Sequence, residues 1–285
     1  MYKKHSFTEA FIRNFFVWIF IAFAIFPFIW IFSASINPSN TLLGQSLIPK
    51  NFTWDRYIEF FTNEQHPFGL WILNSIKVSG ITAIFTVILA ALGAYAFSRF
   101  RFKGRRTGLL SLLLVQMFPQ MLAMVAIYLL LLNIGKYISW LGLNYHISLI
   151  MVYLGGAMGF NMWLMKGYFD TISYSLEESA MIDGATHFQS FVHIILPLAR
   201  PILAVIFILQ FIGTYSDFIL ASILLSSKEN YTLAVGLRLF ITGQYTTRWG
   251  MFATASIIGA LPIMMIFLLL QNQLVSGLTR GGVKE

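Results

Sequence analysis

From Phe15 to Phe32 the chain carries no charged residue, and apolar runs of similar length recur up to its last dozen positions. A bilayer core about 30 Å thick takes about 20 such residues per helix, so repeated runs of this kind commit a chain to lipid. Composition agrees: 58% of the 285 residues are hydrophobic, 11% are charged, and the mean hydropathy is +0.74, far from the balance of a soluble domain. The pattern predicts an all-α polytopic membrane protein with six transmembrane helices, at 14–34, 72–97, 107–133, 145–165, 201–226 and 250–273. The first run follows Lys3 and Lys4 and ends at Ser33, Ala34 and Ser35, as a secretory leader would. It is too long for a leader and further spans follow, which favours an uncleaved first helix.

Charge sets the orientation. The net charge of +8 in a soluble protein would suggest nucleic acid, but here the cations sit in short links between apolar runs. They act as topology signals, and no nucleic-acid partner is expected. Lys3, Lys4 and Arg13 precede the first span, while Arg99, Arg101, Lys103, Arg105 and Arg106 crowd the link between the second and third. Positive residues favour the cytoplasmic side, so both termini are expected inside. Trp71, Trp140 and Trp249 fall near outer span ends and Trp18 and Trp163 near inner ones, as headgroup anchors do.

Three segments break the monotony of the spans. Residues 36–70 include a run from Trp54 to Phe61 with helical apolar spacing, read as a short helix on the outer surface. Residues 227–249 form a long outer loop that can reach a soluble partner, with Tyr231, Gly243 and Gln244 its candidate contacts. The most informative segment is Lys166 to Arg200, where a chain with otherwise short inner links spends about 35 residues. Ser175 and Glu178 fit a capping box, Asp183-Gly184 a helix-ending turn, and Thr186 and Gln189 a second box. The second helix lines up Phe188, Phe191, Val192 and Ile195 until Pro197 and Pro201 stop it. These signals predict a compact two-helix knob on the cytoplasmic face.

The knob's residues carry a resemblance. Glu178-Ser179-Ala180, Gly184 and Ile194-Ile195-Leu196-Pro197 resemble the EAA loop of ATP-binding-cassette (ABC) importer permeases, with Ser179 where that family usually has alanine. Gly167 to Ile172, Leu196 to Leu198, Pro201 to Val205, Tyr231 to Gly236 and Gly277 to Lys284 resemble the second permease subunit of maltose/maltodextrin importers. The resemblance implies a type I importer permease fold: an amino-terminal helix and outer segment at 1–71, a core domain at 72–273 and a cytoplasmic tail at 274–285. It also implies four kinds of partner. These are a second permease in a heterodimer, a homodimeric or heterodimeric cytoplasmic ATPase, an extracytoplasmic sugar-binding protein, and lipid. By the same resemblance Glu178, Ser179, Ala180, Asp183, Gly184, Ile194, Leu196 and Pro197 belong to the ATPase-coupling loop, and the substrate is maltose, maltodextrin or a related oligosaccharide.

No GxxxxGK[S/T] run is present, so this chain is expected to hold no nucleotide site of its own; the resemblance implies a transport subunit that is no enzyme and binds no cofactor, with ATP and Mg on the partner ATPase. Zero cysteines exclude disulfides and thiolate metal sites, and five scattered histidines offer no metal site. Asn161, Gln210, Tyr215, Ser216 and Asp217 are the candidate polar residues of a translocation path, with Gln116 and Gln120 similar amides in the third span. An ion-coupled carrier would need more midplane charge than Asp217 alone provides. The small residues Gly155 and Gly159 are read as helix packing rather than a dimer seam.

Overall fold

The computed structural model describes residues 7–39, 41, 45–241 and 247–280, and among them every regular element is helical. The helices are α1 (Phe7–Ile36), α2 (Asp55–Thr62), α3 (Phe68–Arg99), α4 (Arg105–Gln116), α5 (Gln120–Ile134), α6 (His146–Phe169) and α7 (Tyr174–Ile182). They continue with α8 (His187–Leu198), α9 (Arg200–Tyr215), α10 (Ile219–Leu224), α11 (Leu233–Leu237) and α12 (Trp249–Arg280). Among the described residues α1, α3, α6 and α12 are long and apolar enough to cross a membrane.

Two of the expected spans are not continuous helices. The run 107–133 breaks between α4 and α5 at Met117-Phe118-Pro119, where Pro119 takes an extended backbone (φ −60°, ψ 113°). Proline has no N–H to continue the ladder and pushes the preceding residue away from helical angles. The run 201–226 breaks between α9 and α10 without a proline. There the Asp217 carboxylate accepts a hydrogen bond from the Ala221 N–H (3.1 Å), taking up a donor that α10 cannot satisfy internally.

The chain divides into two compact units. In the first, residues 1–69 and 237–260, the rings of Phe60, Phe68 and Phe240 stack at 4.3 and 5.2 Å. Arg56 is buried beside them. Its guanidinium donates to the carbonyls of Ala34, Ser35, Pro38 and Ser39 (3.4, 3.2, 3.0 and 2.9 Å), so it closes the carboxy-terminal end of α1, where carbonyls lack partners. Burial, and then Arg248, pull the Arg56 pKa down, partly offset by Glu59, to which Arg248 donates at 2.9 Å.

The second unit, 70–236 and 261–285, has two apolar cores. One joins α3, α6, α8 and α9 through Ala90, Ala94, Met165, Phe169, Ile195 and Ile206. The other gathers Val78, Leu131, Leu149, Ala221, Leu224 and Val235. Gly159 lets α4 approach α6, since a Cβ there would lie 2.7 Å from the Leu112 carbonyl oxygen. Trp71 departs from its expected anchor role: it is fully buried and donates from Nε1 to the Lys228 carbonyl at 2.7 Å. An indole whose N–H finds a backbone partner inside the fold has no need of the headgroup layer.

Candidate functional site

The first helix of the knob between α6 and α9 is capped two residues earlier than expected. Ser173, not Ser175, caps α7, its hydroxyl accepting from the Ser175 N–H at 3.3 Å. The chain leaves α6 through a tight turn in which the Thr171 and Ile172 N–H groups bond back to Tyr168 and Phe169, and this sets Ser173 as the first free residue. Gly184 ends α7 at φ +89°, a left-handed conformation that glycine takes without steric cost. At α8 the expected box is complete: the Thr186 N–H donates to Gln189 Oε1 (2.7 Å) and the Gln189 N–H to Thr186 Oγ1 (3.2 Å).

Pro197 and Pro201 redirect the chain rather than stop it. α8 stays helical through Pro197 to Leu198, with a wide π turn over Phe191–Ile195, and α9 then leaves at a 75° bend. Proline without its N–H is tolerated in a first helical turn, and Pro201 sits there in α9. The knob has an inner and an outer surface. Phe191 and Ile195 are buried with Val192 packed beside them, whereas Phe188 of the expected apolar stripe is 67% exposed, because the π turn rotates the face after it. Glu178, Ser179, Asp183, Gly184 and Pro197 are exposed, and Ala180, Ile194 and Leu196 are half-buried. Leu176 and Ile182, 86% exposed in the second case, add apolar surface that nothing among the described residues covers.

The buried side of α7 carries a residue that the motif reading passes over. Glu177 is 3% exposed and pairs with Arg99 of α3, while its Oε2 accepts from the Tyr95 hydroxyl at 2.9 Å. Next to it Ser98 donates to Asp170 Oδ1 (2.6 Å), and Lys166 Nζ donates to Asp170 Oδ2. Burial pushes the Asp170 pKa up, but the hydrogen bonds from Lys166 and Ser98 outweigh it and the net shift is downward. A sequence signal existed: Arg99 ends a span, and Glu177 is one position and so one helical face away from Glu178.

A cavity of about 1000 Å³ opens among α4, α5, α6 and α9, and its lining includes Gln116, Tyr153, Asn161, Gln210, Thr214 and Asp217. Tyr153 donates to Asp217 Oδ1 at 2.8 Å, and Asn161 donates to the Ala157 carbonyl at 2.9 Å. Of the other candidates, Tyr215 is buried and Ser216 is exposed at the break, and neither lines this space. In the segment 227–249, Tyr231 is half-buried against Trp71, its hydroxyl donating to the Ser226 carbonyl at 3.2 Å; Gly243 and Gln244 lie outside the described residues. The loop's first part is tied down: Asn74 donates to the Glu229 and Tyr231 carbonyls (2.8 and 3.0 Å), and Ser75 Oγ accepts from the Leu233 N–H (2.8 Å).

Comparison with known proteins places this architecture. Residues 88–280 match the family described as binding-protein-dependent transport system inner membrane component. The maltose/maltodextrin transport system permease protein MalG of Vibrio vulnificus (strain YJ016) is 47% identical, over 94% of this chain and 93% of that one. MalG of Escherichia coli (strain K12) is 45% identical, over 99% of this chain and 98% of its own length. In fold, the chain is similar to a subunit of a bacterial ABC transporter involved in the import of the acidic polysaccharide alginate, with a TM-score of 0.76 at 24% identity over 95% of this chain and 98% of that one. The chain belongs to the family of inner-membrane components of binding-protein-dependent transport systems.

Proposed function

We propose that this chain is a permease subunit of an ABC importer for maltose, maltodextrin or a related oligosaccharide. In this reading it forms the membrane pathway with a second permease, and an extracytoplasmic binding protein delivers the sugar. A cytoplasmic ATPase pair, which holds ATP and Mg, drives it. The chain then crosses the membrane six times, counting α4 with α5 and α9 with α10 as interrupted spans, with both termini inside. The observation that carries the reading is the knob, a pair of capped helices on which Leu176, Glu178, Ile182 and Phe188 are exposed and uncovered by any of the described residues. Such a surface suits docking into a cleft of a motor protein, and Glu178, Ser179, Ala180, Asp183 and Gly184 lie on it. The bend at Ala199 then passes movement of α8 directly to α9, so closure of the ATPases reorients the spans that line the cavity. Asp217, Asn161 and Gln210 supply hydrogen-bonding groups along that cavity, and Tyr215 and Ser216 sit at its interrupted end.

The knob is tested by Glu178→Lys and Gly184→Val in the purified importer. Glu178 is exposed and makes no internal bond that explains its presence, so its replacement leaves folding within about 0.5 kcal/mol. For Glu178→Lys we expect the complex to co-purify while sugar-stimulated ATP hydrolysis falls by about tenfold, the scale of a coupling energy near 1.4 kcal/mol; Gly184→Val also strains the left-handed turn that ends α7, so its loss of stimulation counts only where the complex still co-purifies. Unchanged stimulation and transport in both variants would remove the assignment. Uptake assays with a panel of oligosaccharides then distinguish maltodextrin from another sugar.

A further inference from the structure

α3 does not adjoin the knob in sequence: α6 feeds it and α9 leaves it, whereas α3 ends 78 positions before Glu177. The direct contacts between α3 and the knob are made by side chains. We propose that the buried pair Arg99 and Glu177 is the positioning joint that makes α3 move with the knob, so that ATP hydrolysis at the knob's outer surface yields sugar movement. This rests on the reading that the knob is the ATPase-facing element.

The geometry is that of a joint rather than of an incidental surface pair. Both side chains are 4% exposed. Arg99 uses its whole fork: Nε donates to Glu177, Nη1 to Ser98 Oγ (3.1 Å) and Nη2 to the Ile172 carbonyl (3.0 Å). Its guanidinium also lies 4.2 Å from the centre of the Tyr174 ring, whose hydroxyl donates to the Ser98 carbonyl at 2.7 Å. The Tyr95 hydroxyl is shared between Glu177 and the His187 carbonyl (2.9 and 3.1 Å), so one α3 side chain holds both knob helices. Fixed, planar, multi-point bonding of this sort sets orientation in a way a lysine or a greasy contact does not. A buried ion pair seldom gains stability over an apolar replacement, which leaves geometry as the property this pair supplies. Adjacent positions on a helix point about 100° apart. Glu177 therefore faces α3 while Glu178 faces outward, and α7 is gripped on one side and free on the other.

The test uses the whole importer in proteoliposomes with its binding protein and maltose, reading sugar taken up per ATP hydrolysed. Glu177→Gln alone strands the buried Arg99 charge, so the matched double variant R99Q/E177Q accompanies it; paired amides leave no uncompensated charge. We expect the double variant to assemble and to hydrolyse ATP within about twofold of the parent, while sugar per ATP falls about fivefold or more. Sugar per ATP that stays at the parent value overturns the joint. So does a proportional fall of uptake and hydrolysis, which marks a pair that only holds the fold. If Glu178→Lys leaves stimulated hydrolysis intact, the docking reading itself has failed; if Glu178→Lys uncouples and R99Q/E177Q does not, only the joint has.

Discussion

Gly236 shows what a single residue decides in this protein. A Cβ built there would lie 2.1 Å from the Trp71 ring, and Trp71 is fully buried with its N–H committed to Lys228, so the ring has nowhere to retreat. Gly236→Ala is expected to destabilise by about 1–3 kcal/mol, the usual cost of overfilling a packed site. Gly155→Ala, where nothing lies within 4 Å, is the control, and thermal unfolding of the purified protein separates the two. Equal midpoints would disprove the packing argument. The same contrast explains which residues were readable. Gly184 announces its turn through Asp183-Gly184, and Thr186 its cap through Gln189, because both act within four positions of themselves. Trp71 and Arg56 act on partners far along the chain, so hydropathy assigns one to the headgroups and the other to the loop charges.

Elements here are shaped by their ends. α4 and α5 part at Pro119, which a reader of the sequence can see, while α9 and α10 part at a three-residue step held by the Asp217 side chain, which apolar averaging hides. The carboxy-terminal ends of α3 and α6 meet at Asp170, just before the knob, and its lowered pKa gives a pH expectation. A carboxyl held below its unfolded value adds stability above that value, about pH 3.9, and loses it as pH falls through the lower folded value. The contacts of Asp170 with Lys166 and Ser98 are therefore constant from neutral pH down to the ordinary carboxylate range and loosen only below it. Hydrogen exchange across 166–190 checks this: Asp170→Asn should exchange faster than the parent at pH 7, and the gap should close below about pH 4. A gap that persists unchanged at low pH would show that Asp170 is not the group responsible.

At the scale of the molecule, the segment 227–249 has a division the sequence does not display. Its part up to Gly236 is fastened to the starts of α3 and α6 by Asn74, Ser75 and the Asn144–Ser227 bond (2.9 Å), so any reach toward a soluble partner belongs to the stretch after it. Shortening residues 241–247 is expected to cut binding-protein-dependent uptake about tenfold, or 1.4 kcal/mol, while leaving assembly intact. Normal uptake after that deletion would place the contact elsewhere. Hydropathy and charge were enough for the membrane class and the all-helical architecture, and local pairing for the Thr186 cap, because burial in lipid and hydrogen bonds within one helical turn depend on neighbours in sequence; the Ser175 box gave way to a cap by Ser173. Which carboxylate of Glu177-Glu178 turns inward and which tryptophan is interior were decided by packing between segments tens of residues apart. Those pairings follow from how the helix faces meet, and no local stretch of chain encodes them by itself.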